Sequence, residues 1–399
     1  MVSHSPEDAT PRTAVVALPE GHSNIALQTR GSTSSVTEIT TDGLQFIRQS
    51  IENTGISPEA TEILMSSWRK STRQQYKGYL ERWTRFCLKN GFQPCAPQIN
   101  EVIDYLLSLF KFGLGYSGIN TARSALSSVL SLHDGVSLGS HPLVVRFMKG
   151  VFEQRPSLPR YTATWDVNIV LSYFKALPLA EHLSLKELTL KLASLLVILS
   201  GQRLQTIHLL HIDHMILQEN KVIFQVKGLV KQSKPGRHIK DLEFEVYTPD
   251  ERLCVVLCLK EYLKRTSVIR GQQKQLLLSF VKPHSAVSKD TLSRWIKTIM
   301  EKAGVDMNIF KTHSTRSAST SAASLLGVNI QTIMNTAGWT NARTFATFYH
   351  KPIEGLANFS QTLLHNVIQK FIFFVLLEYK ISYDWYWFGS FSCLISLVL

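Results

Sequence analysis

The chain is 399 residues long and 44% hydrophobic, with 43 Lys and Arg against 30 Asp and Glu and a net charge of +13. Length and apolar content allow two or three domains with buried cores, and the basic excess points to a polyanionic partner. Five cysteines without a C-x-x-C pair exclude a disulfide-built scaffold and fit a reducing compartment.

Residues 1–55 are rich in Ser and Thr, and read as a disordered polar tail. Its acids (Glu7, Asp8, Glu20, Glu38, Asp42, Glu52) outnumber Arg12, Arg30 and Arg48, so the basic excess lies elsewhere. No sustained apolar run occupies residues 1–20, so secretion is not expected. Within the tail only 45–52 has helical character. Residues 58–157 then read as a helical unit, with helices over 58–68, 71–90, 100–113, 117–133 and 142–151. Ser71-Thr72-Arg73-Gln74 has the form of a capping box. Tyr76, Tyr79, Leu80, Trp83 and Phe86 make an apolar helical stripe. Thirteen Lys and Arg against six acids between 60 and 160 would suit a phosphate backbone. The candidate contacts are Arg69, Lys70, Arg73 and Lys77, with Arg82 and Arg85 nearby, and Arg123 beside Asn120 and Ser124.

Two prolines and two arginines between 154 and 164 mark a linker, placed at 158–164, and a second domain is expected over 165–360. Helices are expected over 165–177 and 184–200, the latter apolar enough to be the centre of that domain. It runs into Gly201-Gln202-Arg203-Leu204-Gln205-Thr206, where an arginine just past a glycine at the foot of a buried helix can be held rigidly. His208, His211 and His214 recur every third residue and drift around a helix, so no metal site is expected. Strands over 214–218, 221–226 and 242–247 make a small antiparallel sheet. The basic stretch 227–240, KGLVKQSKPGRHIK, forms a hairpin tip and brings Lys231, Lys234 and Arg237 as candidate DNA contacts. A helix over 250–266, with Cys254 and Cys258 in its core, a short strand over 276–280 and a helix over 288–303 follow.

The stretch 311–351 holds His313 and Arg316 three residues apart, a small-residue run, Gly338-Trp339 and Tyr349. These read as three short helices carrying an imidazole, a guanidinium fork, an indole donor and a phenol. Arg grips a phosphate with two donors. A phenol of pKa about 10 becomes a useful nucleophile only where fixed donors stabilise charge around it. The combination suggests attack by tyrosine on a phosphodiester.

His313-x-x-Arg316, then Gly338-Trp339, then Tyr349 resembles the C-terminal signature of the tyrosine recombinases, the phage-integrase family. Gly201-x-Arg203-x-x-Thr206 is similar to the family's first arginine motif. The pattern W-x-x-S-T-x-x-x-Y-x-x-x-L-x-x-W-x-x-F-C from Trp68 resembles its N-terminal core-binding domain. The fold implied is mainly α with a small antiparallel sheet, a helical (SAM-like) core-binding domain followed by a catalytic domain. The resemblance implies DNA cleavage and rejoining through a 3′-phosphotyrosyl intermediate. Tyr349 would be the nucleophile, Arg203 and Arg316 would grip the phosphate with His313 and Trp339, and Lys234 would be the general acid, with Lys227 and Lys231 as rivals. No cofactor or metal is implied. The partner would be double-stranded DNA, bound by a homotetramer on two duplexes. One departure stands out: the family commonly has an acid where this chain has Thr206. The aromatic frame Thr344-Phe345, Phe348-Tyr349 resembles recombinases of eukaryotic mobile elements, which would imply a nuclear location. The competing readings are a type IB topoisomerase-like enzyme and a non-catalytic DNA-binding protein derived from a mobile element.

Residues 361–399 form an apolar tail broken by Glu378, Lys380 and Asp384. Those charges argue against a membrane span. A protein-docking segment and an imprecise gene boundary are the other readings.

Overall fold

Helix signals alternate with Gly and Pro breaks along most of the chain, and a computed structural model turns them into fourteen α-helices and three strands among the described residues. Those residues are 43–130, 137–158 and 161–354. The chain divides into two compact units, residues 1–158 and 159–399.

The first unit is helical. It holds α1 (Gly43–Glu52), α2 (Pro58–Ser66), α3 (Lys70–Asn90), α4 (Ile99–Lys111), α5 (Tyr116–Ser127) and α6 (Pro142–Gln154). Its core centres on Trp83 and Tyr105, whose rings meet edge-on 5.2 Å apart. Both polar ends are satisfied inside: Trp83 Nε1 donates to the Pro94 carbonyl at 3.0 Å and Tyr105 Oη to that of Tyr79 at 2.8 Å. Arg155 closes the end of α4 by donating to the carbonyls of Phe110 and Leu114 at 2.6 and 3.0 Å.

Two expectations are corrected in this unit. The polar tail does not extend to residue 55, because α1 buries Phe46 and Ile47 in the core. Gly43 lets the start of α1 press against α3, where a Cβ would stand 2.3 Å from the Lys77 carbonyl oxygen. Residues 1–42 lie outside the described residues. Ser71 does not open α3: the helix begins at Lys70 with Arg69 as N-cap and no side-chain cap. A reciprocal cap of that kind instead starts α8, where Ser184 Oγ accepts from Glu187 N and Glu187 Oε2 accepts from Ser184 N.

The second unit holds α7 (Val167–Lys175), α8 (Leu185–Ser200), α9 (Leu204–His208), β1 (Met215–Leu217), β2 (Lys221–Phe224), β3 (Leu242–Glu245), α10 (Val255–Thr266), α11 (Lys289–Ala303), α12 (Thr315–Leu325), α13 (Ile330–Ala337) and α14 (Ala342–Phe348). Helix α8 is buried nearly all round from Leu188 to Ile198, its apolar side chains taking Lys191 and Ser194 inside with them. It packs against α10, α11 and α12. The sheet has order β1-β2-β3, both pairs antiparallel, with Val222 opposite Phe244 and Phe224 opposite Leu242. These four side chains point into the core and the alternate positions face out. Residues 276–280 do not form the expected strand. Leu276–Leu278 are buried, but the segment pairs only through single bridges, His211 with Gln275 and Leu278 with Ala286. Cys254 and Cys258 are buried in α10. Residues 355–399, with the apolar tail, lie outside the described residues, and among the described residues no helix is long and apolar enough to cross a membrane.

Candidate active site

Helix α8 ends at Gly201, whose left-handed backbone (φ 57°) turns the chain sharply. A side chain there would crowd Thr320 Cγ2 at 3.2 Å. The turn delivers Arg203 as the N-cap of α9. Arg203 Nη1 is buried and has no hydrogen-bond partner among the described residues.

His313 lies in a single 3-10 turn, Thr312–Ser314, directly before α12. Trp165 Nε1 pins that turn by donating to Ser314 Oγ at 2.9 Å, and Ser314 Oγ donates to the Lys311 carbonyl at 2.7 Å. The surrounding protein, and then the charges of Arg203, Arg316 and Lys231, hold the imidazole below the usual histidine pKa, although one side of the residue stays open to solvent.

Arg316, in the first turn of α12, is 2% exposed. Its Nη2 donates to the Ala337 carbonyl at 2.7 Å, while Nε and Nη1 have no partner among the described residues. Its guanidinium carbon lies 4.3 Å from the centre of the Trp339 ring and 5.4 Å from that of Tyr349. Burial, and then Arg203, push its pKa down to about 9, and the nearby Tyr349 phenol opposes that fall.

Helix α13 ends at Gly338 (φ 73°), with Trp339 N donating back to the Met334 carbonyl at 2.8 Å. This stop swings the indole inward. Trp339 is 6% exposed, and its ring packs at a tilt against Tyr349 at 4.6 Å and Phe345 at 5.4 Å between centroids. Its Nε1 is buried without a partner among the described residues. Tyr349 caps α14. Ser317 Oγ and Ser321 Oγ both donate to its main-chain carbonyl, at 2.9 and 2.7 Å. The chain beyond is fastened too: Thr164 N donates to the Pro352 carbonyl at 2.8 Å, Glu354 N to that of Thr164 at 2.7 Å, and Lys351 Nζ to that of Tyr161 at 2.8 Å.

The loop between β2 and β3 turns at Lys234-Pro235-Gly236-Arg237, with reciprocal 2.9 Å bonds between Lys234 and Arg237 and Gly236 at φ 70°. Lys234, at the foot of that turn, and Lys231 are both exposed, and the charge of Lys231 reaches His313. Gln232 Nε2 docks the loop by donating to the Ala337 carbonyl at 3.3 Å. Arg237 lies exposed, its Nη2 at 3.5 Å from the Trp339 carbonyl.

Arg316, Trp339 and Tyr349 thus pack together, the charges of Arg203 and Arg316 act on each other and on His313, and at least four buried N–H groups of Arg203, Arg316 and Trp339 are unpaired among the described residues. Such an excess of donors suits a tetrahedral oxyanion. Residues 174–354 match the phage integrase family. This segment is a phage integrase domain. No curated protein matches the chain. Among solved structures, the XerH site-specific recombinase in its post-cleavage complex with a palindromic difH substrate shares 14% identity over 70% of this chain and 76% of that one, with a TM-score of 0.50. A lambda integrase dimer bound to a COC′ core site matches at 14% identity over 79% of each chain, TM-score 0.46. The Tn1549 transposon integrase with transposon right-end DNA matches at 13% identity over 81% and 98%, TM-score 0.46. The XerH likeness supports the recombinase fold of the integrase domain.

Of the other candidate contacts, Arg69 and Lys70 are exposed at the start of α3. Arg73 is turned inward, donating to the Met65 carbonyl at 2.6 Å, and Lys77 pairs with Glu81 at 3.7 Å. Arg123 is half-buried on α5. The sequence pattern missed Ser317 and Ser321, which it passed over within the small-residue run; their i, i+4 spacing on the helix carrying Arg316 was the available signal. It also missed Gln202 and Gln232.

Proposed function

We propose that this chain is a tyrosine recombinase that cuts and rejoins duplex DNA at Tyr349. The carrying observation is the packing of the Arg316 guanidinium against the Trp339 and Tyr349 rings, which touch each other, with its Nε and Nη1 unpaired among the described residues. In this reading Arg203 and Arg316 hold the non-bridging oxygens of one phosphate and Trp339 Nε1 donates to the same group. These donors are fixed before the reaction, so stabilising the charge gathered in the transition state costs little reorganisation. His313, whose pKa is lowered first by burial and then by its cationic neighbours, takes up the phenolic proton or orients the phosphate. The Tyr349 oxygen attacks phosphorus, the bond to the 5′ oxygen breaks, and that oxygen receives a proton. We assign its delivery to a lysine of the loop between β2 and β3, either Lys234 at the foot of the turn or Lys231, whose charge reaches His313. The new phosphotyrosyl bond replaces a phosphodiester bond, so a 5′ hydroxyl can reverse the step without ATP.

Exposed Arg69 and Lys70, with Arg123, Lys231 and Arg237, would contact the phosphate backbone. Arg73 and Lys77 must first release their present partners to do so. Assembly as a homotetramer on two duplexes follows from the family resemblance and is tested by sizing the protein on its DNA. The decisive test uses a duplex selected from a random pool by the full chain and nicked near the cleavage point, so that cut ends drift apart. A wild-type covalent adduct that Tyr349→Phe cannot form supports the proposal. Adducts persisting in Tyr349→Phe would remove Tyr349 from the role. Relaxation of supercoils without recombinant product would favour the topoisomerase-like reading.

A further inference from the structure

We infer that Gln202 and Thr206 form a neutral positioning pair for the cleavage centre, one that ties the two arginines and the indole to a single peptide segment. The inference rests on the recombinase reading above. Gln202 is 2% exposed and Thr206 is fully buried. Thr206 Oγ1 donates to Gln202 Oε1 at 3.3 Å, which fixes the amide so that its nitrogen points away from α9. That nitrogen donates to the Thr336 carbonyl in the last turn of α13. The next carbonyl, Ala337, accepts from Arg316 Nη2 at 2.7 Å and from Gln232 Nε2 at 3.3 Å. Gly338 and Trp339 follow at once.

The last carbonyls of a helix have no partner within it. Here they are used as anchors. Gln202 precedes Arg203, so the amide links the first arginine to the segment on which the second arginine rests and from which the indole projects. An acid at 206 would orient the arginines through its charge. A Thr–Gln pair has no charge to use, and it works through direction instead: the amide accepts at one end and donates at the other. A carboxylate at 202 could not donate to the Thr336 carbonyl, so this role requires glutamine rather than glutamate. Neither residue touches DNA in this scheme. Both act through Arg203, Arg316 and Trp339.

The test measures single-turnover adduct formation by the full chain on the selected, nicked duplex. Gln202→Leu and Gln202→Glu should each slow it on the order of tenfold to a hundredfold at unchanged duplex affinity, because a small misplacement of reacting groups is amplified in the rate. Thr206→Val should slow it less, and Thr206→Ser should match wild type. A second substrate carries a neutral methylphosphonate at the cleaved linkage. If Gln202 sets the cations on the phosphate, its variants lose less on that linkage, since there is less charge to hold. Equal losses on both linkages would mean general loosening and overturn the inference. So would rates for Gln202→Leu and Thr206→Val within about twofold of wild type, a difference too small to mark a lost transition-state contact. If Gln202→Leu fails to fold, Thr206→Val against Thr206→Ser decides, and equal rates overturn it. A wild-type chain that makes no adduct would instead sink the recombinase reading, which is a separate outcome.

Discussion

Replacing Arg316 with Met should stabilise the fold while destroying the reaction. Arg316 is 2% exposed, and its pKa falls from 12.5 to about 9. At about 1.4 kcal/mol per pH unit, that fall bounds the cost of keeping the group charged at about 5 kcal/mol. One hydrogen bond from a charged donor and a stack on an aromatic face return about 2–4 kcal/mol. The remainder is a net penalty of about 1–3 kcal/mol. Met keeps the length and apolar stem, and the Ala337 carbonyl retains Gln232 as donor. The second unit of Arg316→Met should therefore melt about 2–12 °C above wild type, given about 2–4 °C per kcal/mol for a unit of this size. Adduct formation should fall by about 10²–10³ or more. Calorimetry on the full chain, with and without sulfate, checks this. Sulfate should raise the wild-type transition, because it supplies the missing acceptors, and should do little for the variant. A variant that melts several degrees below wild type would refute the view that this charge is held at the fold's expense.

Other outcomes follow from the same geometry. Trp339→Phe keeps the ring against Tyr349 but loses Nε1, so cleavage should drop on the order of 10²-fold while Trp339→His recovers part of it in the same adduct assay. Ser317→Ala with Ser321→Ala removes both donors from the Tyr349 carbonyl and should slow adduct formation on the order of tenfold with duplex affinity unchanged in gel-shift titrations. His313 is held below its usual 6.5 in the folded chain, so between that lowered value and 6.5 the unfolded chain binds a proton that the folded chain does not. Stability should therefore fall as pH falls through that window, and His313→Gln should flatten the slope in urea titrations run downward from pH 6.5.

Much of this was readable from the sequence because the informative residues are close together along the chain. His313, Arg316, Trp339 and Tyr349 lie within 37 positions, and the helix stops between them are written as Gly327 and Gly338. The apolar run of α8 and the alternation of β2 and β3 also declare themselves locally. What stayed hidden depends on partners far away. Gln202 meets a residue 134 positions on, and Gln232 one 105 positions on, so neither role has a local pattern. The choice between Lys231 and Lys234 turns on how the loop docks, which the loop's own residues do not specify. Helix α1 falls within the expected tail although 45–52 has helical character, because a short helix shows its place in a core only when distant residues cover Phe46 and Ile47.

The stitching of Tyr161 and Thr164 to Lys351, Pro352 and Glu354 bears on how this protein can be dissected. A fragment begun at residue 166 would keep Arg203, His313, Arg316, Trp339 and Tyr349 and still lose the segment that fastens the chain just past Tyr349. Inactivity of such a trimmed piece would then speak to lost moorings, and only versions retaining the entry segment can stand in for the whole.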